Sequence, residues 1–238
     1  MGNLQVLEHA NTDIGTIYLG RRPKGDSSGW TYEIEIDGLL LMSNSNPVSE
    51  RQLSMSALAL HDGDGLRVLV GGLGLGHTAE AVLESSRVAS VRVVEKMDFV
   101  IDWMNNGLLP LSSEFAAEGR LQIVKGDIYE HLLGPASEQY DLILVDVDHS
   151  PSDRLSEASE PFYTEQGQRR VSRHLSPGGK LAVWSANGND EFLSVLAKVY
   201  PDAHCEDVKW EDRGLCDDPL HDVLFFSHVA PGSSVATD

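Results

Sequence analysis

Basic residues are scarce in this sequence, and that scarcity restricts the partners the protein can have. The 238 residues include 18 Lys and Arg against 37 Asp and Glu, for a formal net charge of −19. Binding of phosphates requires clustered Lys and Arg, so this balance argues against nucleic acid and anionic membranes as partners. Two explanations of the acidic charge stay open: a cationic substrate such as a polyamine, or a solvated acidic surface as in salt-adapted proteins.

Cysteines and long apolar runs are also lacking. Cys205 and Cys216 are too few and too loosely spaced for a metal site or a disulfide framework. No apolar stretch approaches the ~20 residues of a membrane span. The N-terminus has no basic and apolar blocks of a signal peptide. These absences predict a cytoplasmic protein with no metal site and no membrane partner.

The sequence divides into a short β-rich start and a longer α/β body. Residues 1–48 contain short strand patterns, and residues 30–36 alternate apolar and polar side chains before an Asp37-Gly38 turn signal. Residues 49–230 alternate apolar strands with amphipathic helices, which is typical of a parallel sheet covered on both faces. The prediction is a doubly wound, mainly parallel, seven-stranded Rossmann-like sheet behind a small N-terminal antiparallel β element. Residues 231–238 are predicted to be a disordered tail.

The predicted elements of the body follow from these periodicities. Strands are predicted at 67–70, 91–94, 121–124, 142–145, 180–185, 206–210 and 223–227. Helices are predicted at 49–61, 78–85, 98–104, 112–118, 162–174 and 190–199. Ligands of such sheets bind beyond the carboxyl ends of the strands, so polar residues at those ends are the candidate site residues.

A glycine-rich loop follows the first strand of the body, where residues 71–76 read Gly-Gly-Leu-Gly-Leu-Gly. Gly72, Gly74 and Gly76 let the backbone turn sharply out of a strand and pass close to a ligand. About twenty residues later the next strand ends in Glu95, where an acid can bind the hydroxyls of a ribose. The combination of strand, loop, helix, strand and acid predicts a site for a nucleoside-bearing cofactor, with Lys96 beside it.

Acids also follow the third and fourth strands of the body. Asp127 can accept a hydrogen bond from an adenine amino group while Ile128 packs on the ring, or Asp127 can cap the helix that follows. Asp146 ends a fully apolar strand and can orient or deprotonate an acceptor. Asp148 and His149 follow in the loop as candidate substrate-binding groups, and His149 is also a candidate catalytic residue. His77, Asp146, Asp148 and His149 match no metal-ligand spacing, so no metal is predicted.

Three further positions complete the candidate site. Trp184 ends the fifth strand, where an indole can line a substrate site or belong to the core. Tyr163 begins a predicted helix that faces the same cleft, as a candidate substrate contact. Gln52 and Arg51 lie in the helix before the glycine loop and could reach the tail of the cofactor.

The order of these parts resembles the spermidine synthase (polyamine aminopropyltransferase) family, from about residue 4 to residue 227. The resemblance implies a fold like the class I S-adenosylmethionine-dependent methyltransferases, an N-terminal β domain and a dimer or tetramer. It also implies that loop 72–76 holds the methionine-derived part of the cofactor. By resemblance Glu95 binds the ribose, Asp127 the adenine, and Asp146 is the general base.

The departures from that family concern substrate recognition. The family's loop reads Gly-Gly-Gly-Asp-Gly-Gly, and its Asp binds the free amine of decarboxylated S-adenosylmethionine. Gly74 occupies that position here, so the loop resembles that of ordinary methyltransferases, which accept S-adenosylmethionine itself. His149 replaces a polyamine-binding Asp, and Arg51-Gln52-Leu53 replaces the family's Tyr-(His/Gln)-Glu stretch.

The sequence therefore predicts an S-adenosylmethionine-dependent methyltransferase that acts on a small thiol or amine. The sulfonium of that cofactor is already a good leaving group, so positioning, desolvation and one proton acceptor suffice. The alternative is an aminopropyltransferase that uses decarboxylated S-adenosylmethionine. A third class is a cofactor-binding protein without catalysis. A homodimer is expected.

Overall fold

The computed structural model describes residues 4–12, 15–24, 29–154, 156–210 and 220–229. The strands are β1 (Gln5–Thr12), β2 (Gly15–Pro23), β3 (Trp30–Ile36), β4 (Leu39–Ser43), β5 (Leu66–Gly71), β6 (Val88–Glu95), β7 (Leu121–Lys125), β8 (Tyr140–Val145), β9 (Leu175–Ser185), β10 (His204–Trp210) and β11 (Leu220–His228). The helices are α1 (Val48–Ala59), α2 (His77–Leu83), α3 (Asp98–Asn105), α4 (Ser112–Ala117), α5 (Ile128–Leu133), α6 (Glu165–Val171) and α7 (Asp190–Val199). Cys216 and the tail predicted at 231–238 lie outside the described residues.

The N-terminal strands form a separate antiparallel sheet in the order β1-β2-β3-β4. Asp37 (φ 48°) and Gly38 (φ 84°) both have left-handed backbone, as the tight turn between β3 and β4 requires. Ile17, Leu19 and Ile34 are buried and belong to the same apolar cluster as the body of the protein. The predicted β element is therefore confirmed, and its buried side chains attach it to the larger sheet. The division of the chain at residue 48 stays a prediction.

The larger sheet has seven strands in the order β10-β11-β9-β8-β5-β6-β7. The pairings β5 with β6, β5 with β8, β6 with β7 and β8 with β9 are parallel, and β11 is antiparallel to both of its neighbours. Side chains of α1–α4 join the apolar cluster on one face of the sheet, and side chains of α5–α7 join the cluster on the other. This arrangement confirms the predicted doubly wound sheet.

One predicted helix differs from the structure. The segment predicted as a single helix over 162–174 consists of a 3-10 turn at Glu157–Tyr163, α6, and a second 3-10 turn at Ser172–His174. Thr164 has extended backbone (φ −100°, ψ 159°), and its hydroxyl accepts a hydrogen bond from the amide of Gly167. A helix cap therefore interrupts the periodic pattern. None of the helices in the described ranges combines the length and apolar character that crossing a membrane would require.

Candidate active site

Two adjoining cavities lie beyond the carboxyl ends of the central strands. The larger cavity, about 400 Å³, is lined by Glu95, Lys96 and residues 126–129. The smaller cavity, about 240 Å³, is lined by Glu50, His77, Thr78, His149 and Trp184 among others. Both cavities share a wall made of Leu41, Met42, Gly72, Gly74, Asp146, Val147 and Asp148. The N-terminal sheet contributes to this wall, since Leu41 and Met42 lie on β4.

The glycine loop separates the two cavities and depends on backbone that other residues rarely adopt. Gly72, Gly74 and Gly76 have φ of 93°, 50° and 97°. A Cβ at Gly72 would overlap the carbonyl oxygen of Asp146, and a Cβ at Gly74 would lie 3.1 Å from the sulfur of Met42. The loop thus passes close to the ends of β8 and β4, as a backbone that holds a ligand must.

Glu95 is buried in the wall of the larger cavity and is fixed by the backbone. Its Oε2 accepts a hydrogen bond from the amide of Leu73 at 2.8 Å, and its Oε1 accepts one from the amide of Met97 at 2.8 Å. A carboxylate has about four acceptor positions, so both oxygens can still accept hydrogen bonds from a ligand. The position and remaining capacity of Glu95 fit the two hydroxyls of a ribose.

Asp127 has the capping function that the sequence offered as one of two alternatives. Its Oδ1 caps α5 by accepting from the amides of Tyr129 (2.9 Å) and Glu130 (3.3 Å). Its Oδ2 forms an ion pair with Lys96 Nζ at 3.0 Å. Asp127, Lys96 and Ile128 all line the larger cavity. The capping function is confirmed, and contact of these residues with a cofactor stays a prediction.

Asp146 lies at the junction of the two cavities. Its Oδ2 accepts a hydrogen bond from the hydroxyl of Thr78, at the start of α2, at 2.6 Å. Burial raises the pKa of Asp146 to about 6, against the effect of this hydrogen bond and with a further contribution from the charge of Asp222. A carboxyl group with this pKa exchanges protons near neutral pH, which is what a catalytic acid or base requires.

Glu50 is a site residue that the sequence analysis did not identify. It lies in the first turn of α1 and lines the smaller cavity. Burial and the charges of Asp146 and Asp222 raise the pKa of Glu50 to about 7. One signal was present, since Glu50 lies three and seven positions before the buried Leu53 and Ala57 and therefore on the apolar face of α1.

Asp148 and Tyr163 hold the loop after β8 in place. Asp148 is 3% exposed, and its Oδ2 accepts hydrogen bonds from the hydroxyls of Tyr129 (2.8 Å) and Tyr163 (3.0 Å). Burial and the charge of Asp148 raise the pKa of Tyr163, so this hydroxyl keeps its proton and donates. Asp148 lines both cavities, whereas Tyr163 is not among the lining residues.

His149 and Trp184 form the outer wall of the smaller cavity. His149 is exposed, and its ring lies edge-on to Trp184 with centroids 6.4 Å apart. Gln52 lies outside both linings, with its side-chain amide donating to the hydroxyl of Ser56 at 2.9 Å. Arg51 also lies outside and pairs with Glu80 and Glu84. Within the described ranges, no group of three or more His, Cys, Asp or Glu side chains could hold a metal ion.

Comparisons with known proteins show which folds this architecture resembles. No protein-family model matches the sequence. A spermidine synthase solved with the transition-state analogue AdoDATO superposes with a TM-score of 0.74 at 18% identity, covering 95% of this chain and 75% of that one. The spermidine synthase of Thermotoga maritima gives a TM-score of 0.72 at 18% identity over 95% and 74% of the two chains. The chain has a spermidine synthase-like fold.

Two other similarities are more distant. Human methyltransferase-like protein 13, solved with SAH, gives a TM-score of 0.56 at 20% identity and covers 79% of this chain and 85% of that one. An uncharacterized protein of Methanocaldococcus jannaschii is 28% identical over 161 residues, which are 67% of this chain. That alignment spans 51% of the archaeal protein, about half its length. The structural similarities confirm the Rossmann-like, methyltransferase-type fold that the sequence predicted.

Proposed function

We propose that the protein is an S-adenosylmethionine-dependent methyltransferase that acts on a small amine. The observation that carries methyl transfer, as opposed to aminopropyl transfer, is Gly74. This position faces both cavities and has no side chain, and Met42 packs against it on the side where a Cβ would point. The loop therefore offers no carboxylate that would favour an amine tail over the amino-acid tail of S-adenosylmethionine.

The residues of the larger cavity fit the nucleoside of that cofactor. Glu95 would accept hydrogen bonds from the ribose hydroxyls, and Asp127 with Ile128 would contact the adenine. The backbone of the glycine loop would lie against the methionine-derived part. When bound, S-adenosylmethionine would supply a methyl group on a sulfonium. Asp146, at the junction of the cavities, would orient the acceptor beside that methyl group.

The charges of the smaller cavity favour an amine over a thiol as the acceptor. Its lining contains Glu50, Asp146 and Asp148, and no Lys or Arg among the described residues. A thiolate would be repelled by these carboxylates, whereas an ammonium would be attracted. His149 and Trp184 are placed at the outer wall, where they can select the acceptor.

Aminopropyl transfer from decarboxylated S-adenosylmethionine is the second candidate. The two spermidine synthase structures favour it through their likeness in fold, and the acidic lining of the smaller cavity would also suit a polyamine. Calorimetry with both forms of the cofactor, followed by an acceptor screen by mass spectrometry, tests the two candidates. A clear preference for the decarboxylated form would overturn the methyltransferase proposal.

We also propose a homodimer that uses β4. Three consecutive leucines of this strand, Leu39, Leu40 and Leu41, are 72%, 58% and 43% exposed. In the described part of the chain β4 pairs only with β3, and β4 contains no charged residue to protect its free edge. Light scattering tests the proposal: Leu40→Lys should convert a dimer into a monomer, and an unmodified protein that is monomeric would refute it.

A further inference from the structure

Glu50 is an ionisable group of the smaller cavity to which the proposed function assigns no step. Its carboxylate is held by a chain of hydrogen bonds that begins at the cavity wall. Trp184 Nε1 lies 3.0 Å from Ser49 Oγ, and Ser49 Oγ lies 3.2 Å from Glu50 Oε2. The chain links β9 to the start of α1 and orients a side chain that lines the cavity.

The direction of this chain follows from the donors it contains. An indole nitrogen can only donate, so Ser49 must accept from Trp184, and its single hydroxyl proton is then directed at Glu50. Ser49 is buried, so no solvent competes for that proton. Glu50 Oε2 is therefore an acceptor in this arrangement, and a carboxylate that accepts hydrogen bonds is stabilised in its ionised form.

The surroundings of Glu50 oppose that ionisation. The negative charges of Asp146 and Asp222 raise the pKa of Glu50. Asp222 is itself buried, and its Oδ2 accepts a hydrogen bond from Trp210 Nε1 at 2.8 Å. His77, Asp148 and His149 line the same cavity. Carboxylates packed together and partly removed from water resist being charged at the same time, so Glu50 and Asp146 titrate as a pair with raised pKa values. Ionised Glu50 is therefore a stronger proton acceptor than an ordinary carboxylate.

Glu50 and Asp146 differ in what they face. Asp146 lines both cavities and is held by Thr78, so its charge lies beside the position of the cofactor. Glu50 lines the smaller cavity alone. Of these two carboxylates, Glu50 is therefore the one placed to act on the acceptor without also facing the cofactor.

We propose that Glu50 takes the proton of the acceptor, an inference that rests on the proposed function. An ammonium R–NH₃⁺ enters the smaller cavity and gives one proton to the Glu50 carboxylate. The freed nitrogen lone pair forms a bond to the methyl carbon, and the carbon–sulfur bond breaks with its electron pair moving to sulfur. The product R–NH₂⁺–CH₃ leaves as a cation, and Glu50 returns its proton to solvent.

The test uses Glu50→Gln, with Glu50→Asp as the conservative variant. Glu84→Gln is the matched control, because Glu84 is exposed at the end of α2 and lines neither cavity. With an aliphatic amine, protonated in solution, Glu50→Gln should lower kcat by ~10²-fold, the usual loss for a general base. With an aromatic amine, neutral at the same pH, the loss should be under about fivefold. Affinity for S-adenosylmethionine, measured by calorimetry, should stay within about twofold.

The pH profile separates proton transfer from a structural function. The rate of the unmodified enzyme should fall at low pH as the Glu50–Asp146 pair becomes protonated. Glu50→Gln should move this limb to lower pH, because Asp146 then titrates without a charged neighbour at position 50, and Glu50→Asp should keep it. Equal losses of kcat with both amines, or an unchanged pH profile, would overturn the inference alone.

If Glu50→Gln does not fold, Ser49→Ala and Glu50→Asp are compared on the same two amines. Equal losses of kcat with both amines would again overturn the inference. No turnover of any amine by the unmodified protein with either form of the cofactor would overturn the proposed function and this inference together.

Discussion

The two cavities that share the glycine loop differ in how the charges of their acidic side chains are stabilised. In the larger cavity Glu95 is fixed by two backbone amides, and Asp127 is paired with Lys96 and with the amides of α5. Glu50 in the smaller cavity and Asp146 at the junction of the two have raised pKa values, because of desolvation and the charge of Asp222 and, for Glu50, the charge of Asp146 as well. A carboxylate that is stabilised by backbone amides or by an ion pair can bind a ligand without changing its protonation state. A carboxylate with a raised pKa can exchange protons. We therefore expect the larger cavity to bind the cofactor and the smaller cavity to be the place of proton transfer.

The strongest test of the contrast is Asp146→Asn, which keeps the size of the side chain and removes its charge. We expect kcat to fall by ~10²-fold or more, because an uncharged amide no longer orients a cationic acceptor beside the methyl group. The affinity for S-adenosylmethionine should change little, because Glu95 and Asp127 are untouched. Steady-state kinetics and calorimetry measure the two effects. Near-normal turnover with every acceptor would leave Asp146 only its structural bond to Thr78.

The matching test of the larger cavity is Glu95→Ala. Loss of a buried charged acceptor should weaken cofactor binding by roughly 2–3 kcal/mol, about 30- to 150-fold. The kcat at saturating cofactor should be largely retained. Because the amides of Leu73 and Met97 also lose their partner, Glu95→Gln serves as a control that keeps an acceptor oxygen for one of the two amides. Normal cofactor affinity in Glu95→Ala would show that the ribose does not bind here.

Gly74→Asp tests what the shared wall contributes to cofactor choice. A carboxylate at this position should pair with the amine of decarboxylated S-adenosylmethionine and repel the carboxylate of the full cofactor. We expect the ratio of the two affinities to shift by about tenfold toward the decarboxylated form, from about 1–2 kcal/mol of partly screened charge interaction. Asp tolerates the left-handed backbone of this position better than most residues. Gly74→Asn is the uncharged control, and an equal shift in both variants would refute the electrostatic explanation.

A further test concerns the pH dependence of stability. The folded-state pKa values of Glu50 and Asp146, about 7 and about 6, lie above the ordinary values of about 4.3 and 3.9 in an unfolded chain. The folded state therefore binds more protons, and the stabilising contribution of the two groups is complete below about pH 4 and lost as pH rises to 7.

Urea unfolding at pH 5 and pH 8 measures this contribution. The free energy of unfolding should decrease between the two values, and Glu50→Gln should reduce that decrease. Glu84→Gln, at the exposed end of α2, should leave it unchanged. The raised pKa of Glu50 would be contradicted if the free energy of unfolding of the unmodified protein rose from pH 5 to pH 8 and rose by more than that of Glu50→Gln.

Local sequence determined the fold and the acidic residues of the larger cavity. Strand periodicity, the glycine loop and the acids at strand ends depend on residues close together in the chain, and parallel strands bring their carboxyl ends to one edge. The positions of Glu95, Asp127 and Asp146 at that edge could therefore be predicted. The cap at Thr164 could not, because the apolar pattern of residues 162–174 continues across it.

Only the tertiary structure decided the composition of the smaller cavity. Glu50 and Asp222 are distant in sequence, and packing of α1 on β9 and β11 brings them into one electrostatic group with Asp146. β4 adds Leu41 and Met42 to the wall, although it belongs to a different sheet. The pKa of a carboxyl group depends on desolvation and on neighbouring charges. Both are set by long-range packing, so the sequence supplied the acids and the fold determined which of them could exchange a proton.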